Sequence, residues 1–556
     1  MKGTGSADRR TLGRDAVAGL VLGVESVPDG LAGGLLAGVN PLYGLYGYLF
    51  GMAGAAMVTS SQFMVVQATG AMAVVVADVG IVQRAAEPNR ALFTLALLTG
   101  VVMLAAGLLR LGQYLRFVPN SVIVGFISAV GVNIILGQLA DFTGYAAEAS
   151  GRLARALETL ANPGSISLPT LLVGIATVVL IVLLEKTRLG PLGMVAAIVV
   201  GSAAVPLFDL EVRILTDLVD VPASLPLPAL PDLSLVPALV LPAVSLAFVG
   251  LIQGAAISAG MPNPDGRYPD ADRDFIGQGV GNLVSGLFRG MPVGGSMSAT
   301  MIGRSAGAAT RATQLVAALV MALVVVFLSD LVGRIAMPAL AGLLIVVGFR
   351  TIKPKDLATT WRTGSLQGVA MTTTFALTII IPLQFAVLIG VGVAMILTIA
   401  RQSETMEIRR RVYDEDGNVE EVAPPVELGR GEVVVLQPYG SLFFASAQAF
   451  EQQVPNVVDG TRHCVVVVRL RGRSELGSTL GKVLKRYADE LAAAESRLVI
   501  VSDNERVRRQ LEVAGVLEAI GEEGLYESDA WLGRTVRRAH DDAVAWVAGM
   551  TGDADG

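Results

Sequence analysis

This chain lacks most of the side chains from which enzymes and metal proteins are built. Among its 556 residues there is one cysteine, Cys464, and there are two histidines, His463 and His540. No disulfide framework and no Cys/His metal cluster can be assembled from so few. No nucleophile triad or phosphate-cradling glycine loop is present, so the chain reads as neither an enzyme nor a cofactor or metal protein. Charge is also scarce. Only 16% of residues are charged, against roughly 25% in soluble domains. The net charge of −6 is a whole-chain sum, and no nucleic-acid partner is expected. The first 15 residues are polar and basic with no cleavable signal pattern, so the first span itself would direct insertion.

What is abundant is apolar sequence. Hydrophobic residues make up 53% of the chain and mean hydropathy is +0.61. They are blocked into runs of membrane-spanning length, which predicts a polytopic α-helical membrane protein. Fourteen segments can be counted, seven in each half. An odd number per half turns the second half over in the membrane, so the halves are expected to be inverted repeats. Residues 1–14 form an N-terminal segment, 15–208 the first repeat, 209–234 a connector and 235–400 the second repeat. Pro222, Pro226, Pro228 and Pro231 keep the connector region extended. Basic residues such as Arg110, Lys186, Arg188, Arg350, Lys353 and Lys355 outnumber those on the opposite side. That bias places both termini in the cytoplasm, with the chain in the bacterial plasma (inner) membrane. Beyond Ala400 the composition changes. Residues 401–431 read as a charged linker or hairpin, and 432–548 as a cytosolic α/β domain with buried-strand runs at 433–436, 465–468 and 498–501. Residues 549–556 are expected to be a disordered tail.

The most specific pattern is a serine-rich break that occurs twice. Leu49-Phe50-Gly51 is followed by Thr59-Ser60-Ser61-Gln62, and Leu287-Phe288-Arg289-Gly290 by Gly294-Gly295-Ser296-Met297-Ser298. Ten positions separate Phe50 from Ser60, and ten separate Phe288 from Ser298. Each break precedes an apolar stretch too short to cross a bilayer. Paired interrupted segments point to a transporter's binding site. A half-helix starting at membrane depth presents bare N–H groups and a positive dipole end. Ser60, Ser61 and Gln62 are therefore expected to start the third segment, and Gly294, Gly295, Ser296 and Ser298 the tenth, with an anion between them. The same residues also suit plain N-caps or tight helix packing. Phe63 and Gln67 follow the break and either line the pocket or pack. Asp29 lies inside the first span, where a carboxylate is expensive and marks a functional site by default. It is a proton-coupling candidate, with a structural hydrogen bond as the alternative. Glu25 is one turn earlier on the same face, as a second proton site or at the water interface.

Val27-Pro28-Asp29-Gly30-Leu31-Ala32 and the run Ala37-Gly38-Val39-Asn40-Pro41-Leu42-Tyr43-Gly44-Leu45-Tyr46 resemble the sulfate permease family, SulP, which includes prestin. Gly290-Met291-Pro292-Val293-Gly294-Gly295-Ser296 resembles its tenth-span entrance. Gly440-Ser441-Leu442-Phe443-Phe444-Ala445 resembles the first strand and turn of the STAS domain. The resemblance implies a homodimer, a core domain and a gate domain in each protomer, elevator-type movement and a STAS tail open to a cytosolic partner. It also implies a substrate anion between the third and tenth half-helices. Two departures narrow the substrate. Gln253 stands where many members carry an acid in the eighth span, and Ala299 where many carry arginine after the tenth-span serine. Gln253 then belongs to the substrate site as a neutral group. A site without a fixed cation leaves room for bicarbonate, a dicarboxylate taken up with a proton, or a monovalent anion, and disfavours tight sulfate binding. The expected function is secondary transport of a small inorganic or organic anion, of the sulfate, bicarbonate or dicarboxylate class, coupled to protons. The alternative is an anion channel or an anion sensor signalling through the STAS-like domain. A nucleobase carrier, which shares the inverted-repeat fold, is disfavoured by Gln253 and Ala299.

Overall fold

The computed structural model describes residues 9–552, apart from 150, 405, 415–417, 444, 471, 473, 474, 529, 530 and 532. The N-terminal eight residues and residues 553–556, parts of the expected terminal segments, lie outside the described residues. Two compact units are present, dividing after Ala394.

In the membrane unit the first half runs α1 (Arg9–Leu36), α2 (Pro41–Val58), β1 (Val65–Gln67), α3 (Gly70–Asp78), α4 (Gly80–Arg84), α5 (Pro88–Leu108), α6 (Asn120–Thr143), α7 (Arg152–Ala161), α8 (Leu168–Leu184) and α9 (Leu192–Leu207). The second runs α10 (Val236–Gly260), α11 (Ala271–Leu287), β2 (Gly294–Ser296), α12 (Met297–Ser305), α13 (Ala312–Phe327), α14 (Ser329–Gly333), α15 (Met337–Thr351), α16 (Pro354–Thr363), α17 (Ser365–Ile380) and α18 (Leu383–Glu404). The order repeats: two long helices, a three-residue strand, a nine-residue helix, then spans that include one short amphipathic helix, α7 or α16. Five helical stretches among the described residues are long and apolar enough to cross a membrane, and further apolar helices are shorter. Nine helical residues rise only about 13 Å, so α3 and α12 cannot cross a hydrocarbon core about 30 Å thick.

Helix starts follow local chemistry. Pro41 and Pro88 occupy first-turn positions, where a missing N–H costs nothing. Asn40 accepts from Leu42 N, Ser167 from Thr170 N, and Asp270 from Asp272 N and Arg273 N.

The centre of the unit is where the two strands meet. β1 and β2 pair antiparallel, with Val65 opposite Ser296, Val66 opposite Gly295 and Gln67 opposite Gly294. Elements at the same place in each half thus run in opposite directions, consistent with inverted halves. The ribbon rests directly on α10. A Cβ added at Gly294 would lie 2.9 Å from Gly250 Cα, and one at Gly295 would lie 2.8 Å from Gly254 Cα. Gly250 and Gly254 are one helical turn apart and present a smooth groove. From the other side, Asn282 of α11 clamps Val293, its Nδ2 donating to the Val293 carbonyl at 2.7 Å and its Oδ1 accepting Val293 N at 2.9 Å. Phe50 and Phe288, the matched aromatics of the two breaks, stack with ring centroids 4.6 Å apart.

The second unit contains a six-stranded sheet of order β4-β3-β5-β6-β7-β8. The expected linker at 401–431 contains the end of α18 and a hairpin, β3 (Glu407–Tyr413) with β4 (Val419–Val422). The parallel strands β5 (Val433–Tyr439), β6 (Val465–Arg469) and β7 (Arg497–Ser502) contain the three buried runs, followed by β8 (Leu525–Glu527). Alternation along the strands separates two faces. Val434, Leu436, Val466, Val468, Leu498 and Ile500 pack under α19 (Ala447–Gln453), α20 (Ser478–Ala493), α21 (Glu505–Val513) and α22 (Val516–Ile520). Val435, Val465, Val467, Val499 and Val501 pack under α23, which runs from Arg534 to Gly552 and so takes in the first four residues of the expected tail.

The glycine seat sets a test of the ribbon. Gly295→Ala is expected to lower thermal stability by about 1–3 kcal/mol through overpacking. Gly260→Ala, whose added Cβ meets nothing within 4 Å, should melt like the parent in the same detergent. Equal melting of the two variants contradicts the seat.

Candidate anion-binding site

A cavity of about 370 Å³ opens beside the strand ribbon. Its polar wall comes from both halves: Glu25 and Asp29 of α1, Tyr48 of α2, Gln67 and Thr69 before α3, Gln253 of α10, and Gly295, Ser296 and Ser298 around the start of α12. Its other wall is apolar, from Ile127, Val130 and Ile134 of α6, Met194 of α9, and Leu344 and Val347 of α15. Arg350 and Lys353, about half exposed, also line it, so the cavity reaches solvent at that end.

The two short helices begin with matching caps. Thr69 Oγ1 accepts Met72 N at 3.3 Å, and Ser296 Oγ accepts Ala299 N at 3.4 Å. A side-chain cap satisfies one of the first four N–H groups, so others at each helix start remain for a ligand. Thr69 also donates to Gln253 Oε1 at 2.9 Å. With its oxygen held there, Gln253 offers its amide N–H groups elsewhere. Ser296 Oγ and Ser298 Oγ lie 3.2 Å apart. Gln67 Nε2 bridges the halves, donating to Ser296 Oγ at 3.4 Å and to Asp29 Oδ2 at 3.5 Å. The Tyr48 hydroxyl donates to the same Asp29 oxygen at 2.6 Å. Asp29 is thus a hydrogen-bonded member of the cavity wall. Glu25 is 5% exposed, and its Oε2 has no hydrogen-bond partner in the structure. Among the described residues no group of three His, Cys, Asp or Glu side chains is placed to hold a metal ion.

Of the residues singled out in sequence, Gln253, Gly295, Ser296, Ser298, Asp29 and Glu25 line this cavity, as does Gln67. Gly294 lies behind it, packed on Gly250. Ser60, Ser61, Gln62 and Phe63 are elsewhere, because the third segment's helix starts at Gly70 and not at the serine break. The break instead encloses a carboxylate of the chain itself. Asp274 Oδ1 accepts Thr59 Oγ1 at 2.8 Å, Ser60 N at 2.7 Å, Ser60 Oγ at 2.8 Å and Ser61 N at 3.0 Å, while Oδ2 accepts Ser258 Oγ at 2.6 Å. Asp274 is fully buried. Gln62 N donates to Asn263 Oδ1 at 2.8 Å, and Gln62 Oε1 accepts Arg311 N at 3.3 Å. Phe63 faces the Arg304 guanidinium at 5.7 Å. The equal spacing from Phe50 and Phe288 aligned the halves out of register. α2 ends at Val58 and α3 begins at Gly70, whereas α11 ends at Leu287 and α12 begins at Met297. The counterpart of Ser296 is therefore Thr69. A hydroxyl just before Gly70-Ala71-Met72, following the β-branched pair Val65-Val66, was the available signal for it. Tyr48, in a helix that reads as apolar throughout, gave none.

The family model described as the sulfate permease family matches residues 12–374. The chain belongs to the sulfate permease family. A STAS domain model matches residues 425–539. The permease is 29% identical over 526 residues to a protein named bicarbonate transporter BicA from Picosynechococcus, covering 90% of this chain and 91% of that one. It is 24% identical over 523 residues to the putative sulfate transporter YvdB of Bacillus subtilis, covering 92% and 96%. Among solved structures, murine Slc26a9, an anion transporter in the inward-facing state, superposes with a TM-score of 0.84 at 19% identity, covering 98% of this chain and 92% of that one. The transmembrane domain of a cyanobacterial BicA superposes with a TM-score of 0.61 at 26% identity, covering 70% and 98%. The permease is a multi-pass membrane protein with a C-terminal STAS domain.

The Asp274 socket yields a direct prediction. Removing a buried carboxylate that accepts five hydrogen bonds strands its donors, each charge-assisted bond being worth roughly 1.5–3 kcal/mol. Asp274→Ala in the permease should lose at least about 3 kcal/mol of stability, read by thermal or chemical denaturation of detergent-purified protein. A melt within about 0.5 kcal/mol of the parent would remove the socket's structural role.

Proposed function

We propose that the permease is a secondary transporter of a small anion, bound between the starts of α3 and α12 and coupled to protons through Asp29. The observation that carries this is the cavity itself. Two capped helix starts, a serine pair and the Gln253 amide converge on it from both halves, and all are neutral donors. Neutral donors and dipoles replace an anion's water without pinning it to a fixed charge. The nearest charges in the polar wall are two carboxylates, Asp29 and Glu25. An anion beside ionised carboxylates is repelled, so binding and proton uptake at Asp29 favour each other. Glu25, one turn away, adds a second acidic group to the same wall.

That electrostatic balance favours a singly charged or proton-accompanied cargo. Bicarbonate fits it, in line with the name of the BicA relatives, and so does a dicarboxylate moved with a proton. Sulfate, named for other relatives, would meet the same carboxylates with two charges. The two unlike walls of the cavity suit alternating access of the elevator type. Polar residues from α1–α3, α10 and α12 would travel with the anion past the apolar surface of α6, α9 and α15. The basic residues Arg350 and Lys353 at the solvent end match the side read from the sequence as cytoplasmic, so the cavity corresponds to an inward-open state. We further infer a homodimer in the bacterial plasma membrane with both termini cytoplasmic, with the STAS domain available to a cytosolic partner.

Uptake by proteoliposomes under a pH gradient, screened over bicarbonate, sulfate, chloride and dicarboxylates, tests the reading. Saturable counterflow is expected, and its absence together with high unitary flux would convert the permease into a channel. Ser298→Trp fills the cavity and should reduce uptake at least about a hundredfold with melting unchanged; retained uptake contradicts the site. Asp29→Asn should abolish accumulation driven by a pH gradient while sparing counterflow. Unaltered pH-driven accumulation would remove Asp29 from the coupling.

A further inference from the structure

One end of the membrane unit concentrates basic and aromatic residues that the transport cavity does not use up. α8 ends at Leu184 and is followed by Glu185, Lys186 and Arg188. Arg350, at the last turn of α15, grips both oxygens of Glu185, with Nη1 to Oε1 at 2.9 Å, and so joins this loop to the start of α16. Lys353, Lys355 and Arg362 extend the patch along α16. Glu185 is committed to Arg350, and Asp356 stands 4.0 Å from Lys353. Lys186, Arg188, Lys355 and Arg362 are exposed, with no acidic partner within 4 Å among the described residues.

Exposed aromatic rings neighbour these cations in sequence, Phe349 beside Arg350 and Trp361 beside Arg362. Phe349 is 64% exposed and Trp361 is 61% exposed. Trp361 stands over α17, where a Cβ added at Gly368 would lie 3.2 Å from its ring. A soluble anion needs cations but gains nothing from exposed rings. A phospholipid layer uses both, because tryptophan settles at headgroup level and lysine and arginine meet the phosphates. The patch also borders the ends of the apolar helices α8, α15 and α17, where headgroups lie.

We propose that this surface, formed by the α8–α9 loop, the end of α15 and α16, binds anionic phospholipid headgroups, and that the bound headgroup competes with the cargo anion at the cavity entrance. The second part follows from shared residues. Arg350 and Lys353 belong both to the patch and to the cavity lining. A phosphate drawn to the patch lowers the positive potential that the incoming anion meets.

The test uses the full-length protein and a variant carrying K186Q, R188Q, K355Q and R362Q. These positions are exposed and outside the cavity lining, so melting like the parent is expected. Binding of spin-labelled phosphatidylglycerol should weaken at least about tenfold in the variant, with phosphatidylcholine binding unchanged. W361S, which leaves every charge in place, should weaken it severalfold by itself. In proteoliposomes, the KM for the cargo at that face should rise severalfold as phosphatidylglycerol replaces phosphatidylcholine in the parent, and stay flat in the quadruple variant. Wild-type phosphatidylglycerol binding by both variants overturns the proposal. So does an equal rise of KM in the quadruple variant, which would assign the effect to bulk surface potential. An equal rise produced by millimolar inorganic phosphate in phosphatidylcholine vesicles would make this a soluble-anion site and reject the lipid. The binding arm stands even if the transport reading fails.

Discussion

A backbone that leaves the helix at membrane depth must find partners for its N–H and C=O groups inside the protein. In this permease the two halves solve that problem for each other. Val65–Gln67 and Gly294–Ser296 pair antiparallel, and neither strand would be tolerable in the hydrocarbon region without the other. The rest of the centre follows from that pairing. Gly250 and Gly254 are bare because a ribbon must lie on α10. Asn282 and Gln278 are polar because the backbone at β2 and just before it has outward groups to satisfy, Asn282 holding Val293 and Gln278 Oε1 accepting Gly295 N at 3.0 Å. The nine-residue helices start just after the strands end, and both starts line one cavity.

The same economy of polar groups explains the serine break. Thr59, Ser60 and Ser61 surround the carboxylate of Asp274 with hydroxyls and backbone N–H groups. Asp15 plays a comparable part between the start of α1 and the segment before α13, accepting Ala309 N at 2.7 Å and Thr310 N at 3.0 Å. Hydroxyl-rich loops in this protein therefore serve two purposes. Some hold carboxylates that bind the halves together, and others line the cavity. Donor chemistry alone does not separate the two; what separates them is whether a carboxylate already fills the position.

Much of the architecture was legible in the chain. Runs of apolar residues of spanning length, the paired interruptions and the valine-rich strands of the second unit all express local periodicity, and the helices and strands formed accordingly. The acids Glu25 and Asp29 stood out because an acid within an apolar span is costly, and both line the cavity. Ser296 and Ser298 were legible as a hydroxyl pair at a helix start. The register between halves was not. Phe50 and Phe288 do stack, yet the connection from α2 to α3 is longer than that from α11 to α12, so equal spacing from the aromatics matched the wrong residues.

The sequence by itself determined that this is a membrane protein of two related halves with a C-terminal α/β domain, and that helices break in the third and tenth segments. Those properties depend on the hydropathy and propensity of neighbouring residues, which are written in order along the chain. Only the tertiary structure decided which hydroxyls remain available to a ligand. Ser60 and Asp274 are 214 positions apart, and Thr69 and Gln253 are 184 apart. One pair closes a socket and the other sets the Gln253 amide in the cavity wall, and that distinction arises only when distant segments meet and compete for the same hydrogen bonds.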